Sequence, residues 1–190
     1  MMLRYKLVAT DRLILQIGES GKPGMRHTLI DALKERLAHQ DGSLEEVDWS
    51  GLELNDVVLS SCRLLGARFV GTDLRGAYFG YSQLNSAIFV SANLGNAHFR
   101  EAELIGADFT GAILSGANFA RANLQRASFA QAELRGANFW RADLRGADLL
   151  DARLTGCCLG AAIIDASTRL HAKETGEVSW PSALQMTPQD

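Results

Sequence analysis

The chain has 190 residues, a formal charge of −3 and a hydrophobic fraction of 47%. This length and composition fit one domain with a substantial apolar core and short end segments. Basic and acidic residues are nearly balanced in the N-terminal part, the long middle segment and the tail. The balance argues against a basic surface for direct nucleic-acid binding, and no segment is acidic enough to mimic DNA by charge alone.

The sequence also bears on the cellular compartment. Asp11 and Arg12 interrupt the first apolar run, so no signal-peptide core is expected. No stretch approaches the length of a transmembrane helix. Cys62, Cys157 and Cys158 have neither disulfide-framework nor metal-ligand spacing. These features predict a cytoplasmic protein with reduced cysteines and no membrane association.

Residues 1–47 are predicted to form an N-terminal hairpin and a capping helix. The hairpin strands are expected at residues 3–9 and 13–16. A Thr-x-x-Asp pattern with capping-box spacing follows, and it opens a stretch whose apolar residues share one helical face, namely Leu29, Leu33 and Leu37. We expect an amphipathic helix over residues 28–40 that closes the end of the repeated segment.

Residues 48–165 are dominated by a five-residue repeat. From Leu54 to Ile164 every fifth residue is Leu, Phe or Ile, at 23 consecutive positions, and Ala stands two residues before this centre in 17 of them. A step of five residues would carry the centres around every face of an α-helix, and in a straight strand it would send them to alternate sides. Only a chain that bends once per pentad keeps every centre inside, so the repeat predicts a solenoid.

The order of the centre residues predicts how many pentads make one coil. Phe and Leu alternate strictly from Phe69 to Phe139. If like residues stack on like, each coil holds an even number of pentads, and four close a square of twenty residues. Two Phe ladders then lie on opposite walls, with Leu on the other two. Nearly six such coils fit the repeated segment.

The Ala-(Asp/Asn)-(Leu/Phe)-x-x pattern, clearest in Ala-Asn-Phe-Ala-Arg from Ala117, resembles the pentapeptide repeat family. The resemblance covers residues 54–164. It implies an all-β solenoid, a right-handed quadrilateral β-helix with Ala and the centre residue inside. Fold alone leaves the function open.

The tail, residues 166–190, is polar with scattered apolar residues, among them Leu170 and Trp180. These two side chains are candidates to cover the last coil. The resemblance offers another possibility, because quinolone-resistance members of the family pair end to end. The sequence leaves a cap and a homodimer contact equally open.

No catalytic, cofactor or metal site is predicted. The four histidines lack neighbouring Cys, Asp or Glu at metal-ligand spacing, and no nucleophile elbow, P-loop or dinucleotide fingerprint is present. Carboxylates such as Glu101 and Asp143 occupy outward positions, and a core of Leu and Phe leaves no internal pocket. We therefore expect a non-enzymatic protein.

Residues twenty apart should be neighbours on adjacent coils, so outward columns can be read from the sequence. One column is apolar and gives Val70 and Val90, with Ile88 beside them. Such a stripe can mark a partner site, although β-branched residues also simply suit strands.

A second candidate surface combines aromatic and cationic residues, which are enriched at interface hot spots. Its members are Tyr78, Tyr81, His98, Arg100, Arg121, Trp140 and Arg141. Arg121 and Arg141 should lie on adjacent coils, where like charges repel unless an anion bridges them. Nearby Asp143, Asp148 and Asp151 offer a simpler balance for the arginines of the later coils.

The sequence thus predicts a non-catalytic interaction module whose rigid faces dock a protein partner. An alternative comes from the resemblance, since some members mimic DNA, bind DNA gyrase or topoisomerase IV, and protect against quinolones or toxins. The near-neutral repeat segment and its lack of an inserted loop argue against this alternative.

Overall fold

The computed structural model describes residues 44–169, and these residues form a β-helical solenoid. Parallel bridges from Asp48↔Arg68 to Asp143↔Ile163 join residues 20 positions apart. Because each pentad supplies one bridge residue, four pentads make one coil. The bridges are isolated, so each wall is a column of single paired residues instead of a sheet of long strands. The predicted N-terminal hairpin, the helix predicted over residues 28–40, and residues 170–190 with their predicted cap or dimer contact lie outside this range. The number of coils stays a prediction.

Backbone hydrogen bonds tie each coil to the next at fixed points of the pentad. The Leu74 N–H donates to the Asn93 carbonyl at 2.7 Å, and the Gly76 N–H donates to the Gly95 carbonyl at 2.9 Å. Within the coil, the Ala77 N–H donates to the Leu74 carbonyl at 3.0 Å and closes the corner. The same pattern recurs along the repeats, so the buried backbone is paired without long strands.

The corner of each pentad explains the recurrent glycine. The residue two places after the centre has a positive φ, for example 66° at Gly76, 61° at Tyr81 and 60° at Arg121. This is the left-handed region, which glycine adopts without steric cost. Other residue types at this position carry that cost, and the coil keeps its shape because the neighbouring turns impose it.

The core is built from two phenylalanine ladders, as the alternation predicts. Rings one coil apart stack, with Phe79 and Phe99 centroids 5.0 Å apart and planes 5° apart. Rings on opposite walls meet edge to face, with Phe69 and Phe79 centroids 5.7 Å apart at 76°. Trp49 extends one ladder toward the N-terminus and stacks 6.0 Å from Phe69. Its indole nitrogen is buried without a hydrogen-bond partner among the residues described.

Polar residues that replace the inward alanine are held by the backbone of the coil below. Three of them are buried: Thr72, Ser82 and Cys157. The Ser82 hydroxyl donates to the Leu59 carbonyl at 2.6 Å, and the Cys157 thiol donates to the Leu134 carbonyl at 2.8 Å. Cys62, in the same slot, is half-buried against the core. These residues pack in the inward slot that alanine fills in most other pentads.

The twenty-residue register ends with one extra residue near the C-terminal end of the solenoid. Asp148 pairs with Arg169, which is 21 positions away. Asp165 accepts hydrogen bonds from the Ser167 N–H at 3.0 Å and the Gly146 N–H at 3.2 Å. Hydrogen bonds, that from the Ser167 side chain foremost, lower the pKa of the Asp165 carboxyl. The charged carboxylate therefore holds the inserted turn. No helix within residues 44–169 is long and apolar enough to cross a membrane.

Candidate interaction surface

One wall of the solenoid gathers most of the predicted partner-binding residues. Tyr78 bridges His98, which bridges Asn118, which in turn bridges Asn138. We call the outward residues of this wall and its following corner the aromatic face: Val58, Tyr78, Tyr81, His98, Arg100, Glu101, Asn118, Arg121, Asn138, Trp140 and Arg141. The seven aromatic and cationic residues named from the sequence lie together on this wall and its following corner, and their role in partner binding stays a prediction.

The predicted apolar stripe lies elsewhere. Val70, Ile88 and Val90 belong to pentads two steps away from the aromatic face, which is half a coil and therefore the opposite wall. All three side chains are half-buried. The solenoid thus divides the predicted partner-binding residues between two opposite walls, and one flat partner cannot contact both.

The N-terminal half of the aromatic face is uncharged. Tyr78 and His98 stack with ring centroids 4.6 Å apart and planes 9° apart. Tyr78 is 44% exposed and Tyr81 59% exposed, and Val58, one coil below Tyr78, is 49% exposed. Sequence reasoning missed Val58, although extending its column by twenty residues finds it. Exposed aromatic and aliphatic side chains thus lie on adjacent coils at this end of the wall.

The C-terminal half is centred on Trp140. The Arg141 guanidinium carbon lies 4.4 Å from the centroid of the indole, and the Arg121 guanidinium carbon lies 5.4 Å from it. Small neighbours make room for the ring: Ala120 precedes it by one coil, and a Cβ placed on Gly160 would lie 3.8 Å from Trp140 Cδ1. The indole is 37% exposed between its two cations. Cation–π attraction to the ring offsets part of the repulsion between adjacent arginines.

Glu101 is the one carboxylate of the aromatic face. Its Oε1 accepts hydrogen bonds from Arg100 Nε at 3.2 Å and Arg121 Nη1 at 3.4 Å. Arg141 makes no ion pair with any residue in the described range. The anion that bridges neighbouring coils here is therefore Glu101, and the aromatic face keeps more positive than negative charge.

The aspartates that were expected to neutralise the arginines of the later coils lie on walls other than the aromatic face. Asp143 Oδ2 lies 2.6 Å from Arg145 Nη2, and this hydrogen-bonded pair lowers the pKa of the Asp143 carboxyl. Asp148 Oδ2 lies 2.6 Å from Arg169 Nη1. Asp143 therefore pairs with Arg145, whereas the ion-pair partner of Arg121 is Glu101.

Two observations bear on the chemistry of the described residues. Within residues 44–169, no three His, Cys, Asp or Glu side chains are grouped so that they could hold a metal ion. Burial raises the pKa of the Cys157 thiol to about 12, so it is protonated near neutral pH and is a poor nucleophile.

Comparison with known proteins assigns the repeat. A family model described as pentapeptide repeats matches residues 53–89, 87–126 and 122–160. These matches span more than half of the chain. A search of curated proteins gives no match.

Solved structures similar to this chain include pentapeptide repeat proteins and a resistance protein. One, from the Arabidopsis thaliana thylakoid lumen, is 33% identical over 55% of this chain and 69% of that chain, with a TM-score of 0.40. HetL from the cyanobacterium Nostoc, involved in heterocyst differentiation regulation, is 21% identical over 72% and 86%, with a TM-score of 0.33. QnrB1, a plasmid-mediated fluoroquinolone resistance protein, is 20% identical over 74% and 83%, with a TM-score of 0.38.

Proposed function

Because this chain belongs to the pentapeptide repeat family, we propose that it is a non-catalytic interaction protein that docks one protein partner on its aromatic face. The family fold is a right-handed β-helical solenoid, and its members are in general structural or interaction modules. A solenoid fixes its outward side chains through the coil above and the coil below. Such a wall presents contact residues in one rigid arrangement, which lowers the entropy cost of binding.

The observation that carries the proposal is the grouping of exposed aromatic rings with arginines on one wall. Tyr, Trp and Arg are the residue types that most often supply binding energy at protein interfaces. Tyr78 and Tyr81 are about half exposed, and Trp140 is 37% exposed between Arg121 and Arg141. Several exposed rings grouped on one wall, unlike single exposed apolar residues, are typical of an interaction site.

The proposal is tested by affinity capture from the host with the double variant Tyr81→Ala/Trp140→Ala. The double variant Ile105→Ala/Ile113→Ala removes two exposed side chains from other walls and is the matched control. We expect wild type and control to retain the same partner, and the aromatic-face variant to lose it. Binding energy at an interface concentrates in such anchors, so we expect the loss to be at least about tenfold in affinity.

Equal capture by all three proteins would show that the partner docks elsewhere. Loss with the Ile105→Ala/Ile113→Ala control alone would move the docking surface to the neighbouring walls. Circular dichroism and thermal unfolding of each variant establish that the solenoid is intact before binding is compared.

A further inference from the structure

The two ends of the aromatic face differ in chemistry, and this difference restricts what can bind there. Val58, Tyr78 and Tyr81 provide apolar surface without charge. Beyond them, Arg100, Arg121 and Arg141 are opposed by a single carboxylate on the same wall. An occupant that covers the whole face must therefore be apolar at one end and anionic at the other.

The cationic end is arranged to bind a carboxylate. Glu101 Oε1 already accepts from both Arg100 and Arg121, which leaves Arg141 without an acidic partner in the described range. Trp140 holds the Arg141 and Arg121 guanidinium groups against its indole. A guanidinium stacked on an aromatic ring keeps the N–H donors on its edge, and these donors match the two oxygens of a carboxylate.

The opposite wall provides the contrast. Its outward residues include Asp48, Asp108 and Asp148. On the same wall, Arg68 pairs with Asp48 and Arg169 pairs with Asp148. Positive excess thus distinguishes the aromatic face from the wall opposite it. Charge complementarity then favours an acidic partner on the aromatic face.

We propose that the occupant of the aromatic face is an acidic segment of a protein partner. Its carboxylates bind Arg121 and Arg141 beside Trp140, and its aliphatic or aromatic side chains lie over Tyr78 and Tyr81. This inference rests on the proposed function and adds the chemistry of the partner. From the coil of Val58 to that of Trp140 there are four coil steps of about 4.8 Å, so about six extended residues span the face.

A protein segment fits these observations better than a nucleic acid. Nucleic-acid affinity comes from neutralising many phosphates with lysine and arginine. The described range contains no lysine, and two of the three arginines on this wall, Arg100 and Arg121, already share the carboxylate of Glu101. Two adjacent guanidinium groups suit one or two carboxylates.

The test is a selection of displayed, fully randomised 12-residue peptides on the immobilised full chain. We expect recovered peptides to be enriched in Asp and Glu next to aliphatic or aromatic residues. Fluorescence polarisation with a recovered peptide then compares wild type, Arg121→Ala/Arg141→Ala and the matched control Arg126→Ala. Arg126 occupies the same pentad position with φ 58°, but its corner follows the adjacent wall. We expect affinity to fall about tenfold or more in the first variant and less than about twofold in the control.

Several outcomes would overturn the inference. Peptides without acidic enrichment that still depend on Tyr81 and Trp140 would refute the acidic partner while leaving the proposed function standing. Peptides that no aromatic-face variant affects, or a failure to recover any peptide, would also refute the acidic segment. The proposed function is then decided separately, by the affinity capture with Tyr81→Ala/Trp140→Ala.

A second copy of the chain and a nucleic acid are the other two possible occupants of the aromatic face, and a separate measurement detects each. Salt-sensitive self-association in sedimentation that is abolished by Arg121→Ala/Arg141→Ala would assign the face to a second copy of the chain. Retention of a labelled single-stranded or duplex DNA or RNA oligonucleotide by wild type, with loss in the same variant, would assign it to nucleic acid. Either result would replace the acidic protein segment.

Discussion

At the scale of single residues, the buried polar side chains that replace the inward alanine donate their hydrogen to a backbone carbonyl of the coil below. Cys157 illustrates this rule: its thiol donates to the Leu134 carbonyl, and the side chain is 2% exposed. Burial disfavours the thiolate and raises the pKa of Cys157 to about 12 from 9.0. Its neighbour in sequence, Cys158, points out of the core and is half-buried on the aromatic wall.

This environment predicts selective thiol chemistry. In the native protein near pH 8, we expect iodoacetamide to modify Cys158 and to leave Cys157 unmodified, because alkylation requires an accessible thiolate. In denaturant both should react. Mass spectrometry with fragmentation of the peptide that holds both residues measures the site. Modification of native Cys157 at the rate of Cys158 would contradict the buried, hydrogen-bonded placement.

The same pKa shift has a consequence for stability. At high pH the thiol ionises more readily in the unfolded chain than in the folded one, and this difference favours unfolding. The contribution of Cys157 to the free energy of unfolding is therefore complete below pH 9 and declines as pH rises toward 12. For Asp143, whose pKa the Arg145 hydrogen bond lowers, the sign is reversed: its contribution is present above its ordinary pKa of 3.8 and is lost as pH falls through its lowered value.

At the scale of the pentad, the decisive element is the corner with its positive φ. Gly116 and Gly136 occupy this corner on the same wall, one coil apart, with φ of 70° and 66°. A Cβ on Gly136 would meet no atom within 4 Å. A Cβ on Gly116 would collide with the side-chain oxygen of Asn96. The two sites share the backbone cost of a left-handed residue and differ in steric environment.

These two glycines give a matched pair of variants. We expect Gly136→Ala to lower the free energy of unfolding by about 1 kcal/mol, the cost of the left-handed conformation for alanine. We expect Gly116→Ala to cost more, because the Asn96 side chain must also move. Urea denaturation followed by circular dichroism measures both. Equal costs for the two variants would show that the corner conformation alone decides tolerance.

At the scale of the whole molecule, the walls of the solenoid differ in charge, and this bears on the DNA-mimicry alternative. A surface that mimics a duplex needs a run of unpaired negative charges. On the wall opposite the aromatic face, Asp48 Oδ2 lies 3.7 Å from Arg68 Nε, and Asp148 Oδ2 lies 2.6 Å from Arg169 Nη1. Arginines thus interrupt the run of carboxylates along this wall. The aromatic face carries a net positive charge, which is the opposite of what DNA mimicry requires.

From this charge pattern we expect the purified protein to leave DNA gyrase unaffected. The measurement is a supercoiling assay at low micromolar protein, run with and without a quinolone, with gyrase alone as the reference in each arm. Inhibition of supercoiling, or rescue from the drug, would contradict the expectation. Such a result would direct mutagenesis to the carboxylates of Asp108 and Asp148, since these lie on the more acidic wall.

The sequence by itself determined the solenoid, because a period of five that places one apolar residue per pentad has only one way to keep every centre inside. It also predicted the four-pentad coil. Alternating Phe and Leu can stack like on like only if the number of pentads per coil is even, and four pentads close a square. Columns of residues twenty apart follow from that number, which is why Tyr78, His98 and Trp140 were predicted to share a wall.

Only the tertiary structure decided how outward side chains interact across the coils. Side-chain direction, burial and pairing depend on neighbours in space, and the repeat does not encode them. The structure placed Val70 and Val90 half-buried on the wall opposite Trp140, chose Glu101 as the partner of Arg121, and set two guanidinium groups against one indole. The backbone period is fixed by one strong apolar preference, whereas the surface results from many weak contacts of similar energy that sequence spacing cannot rank.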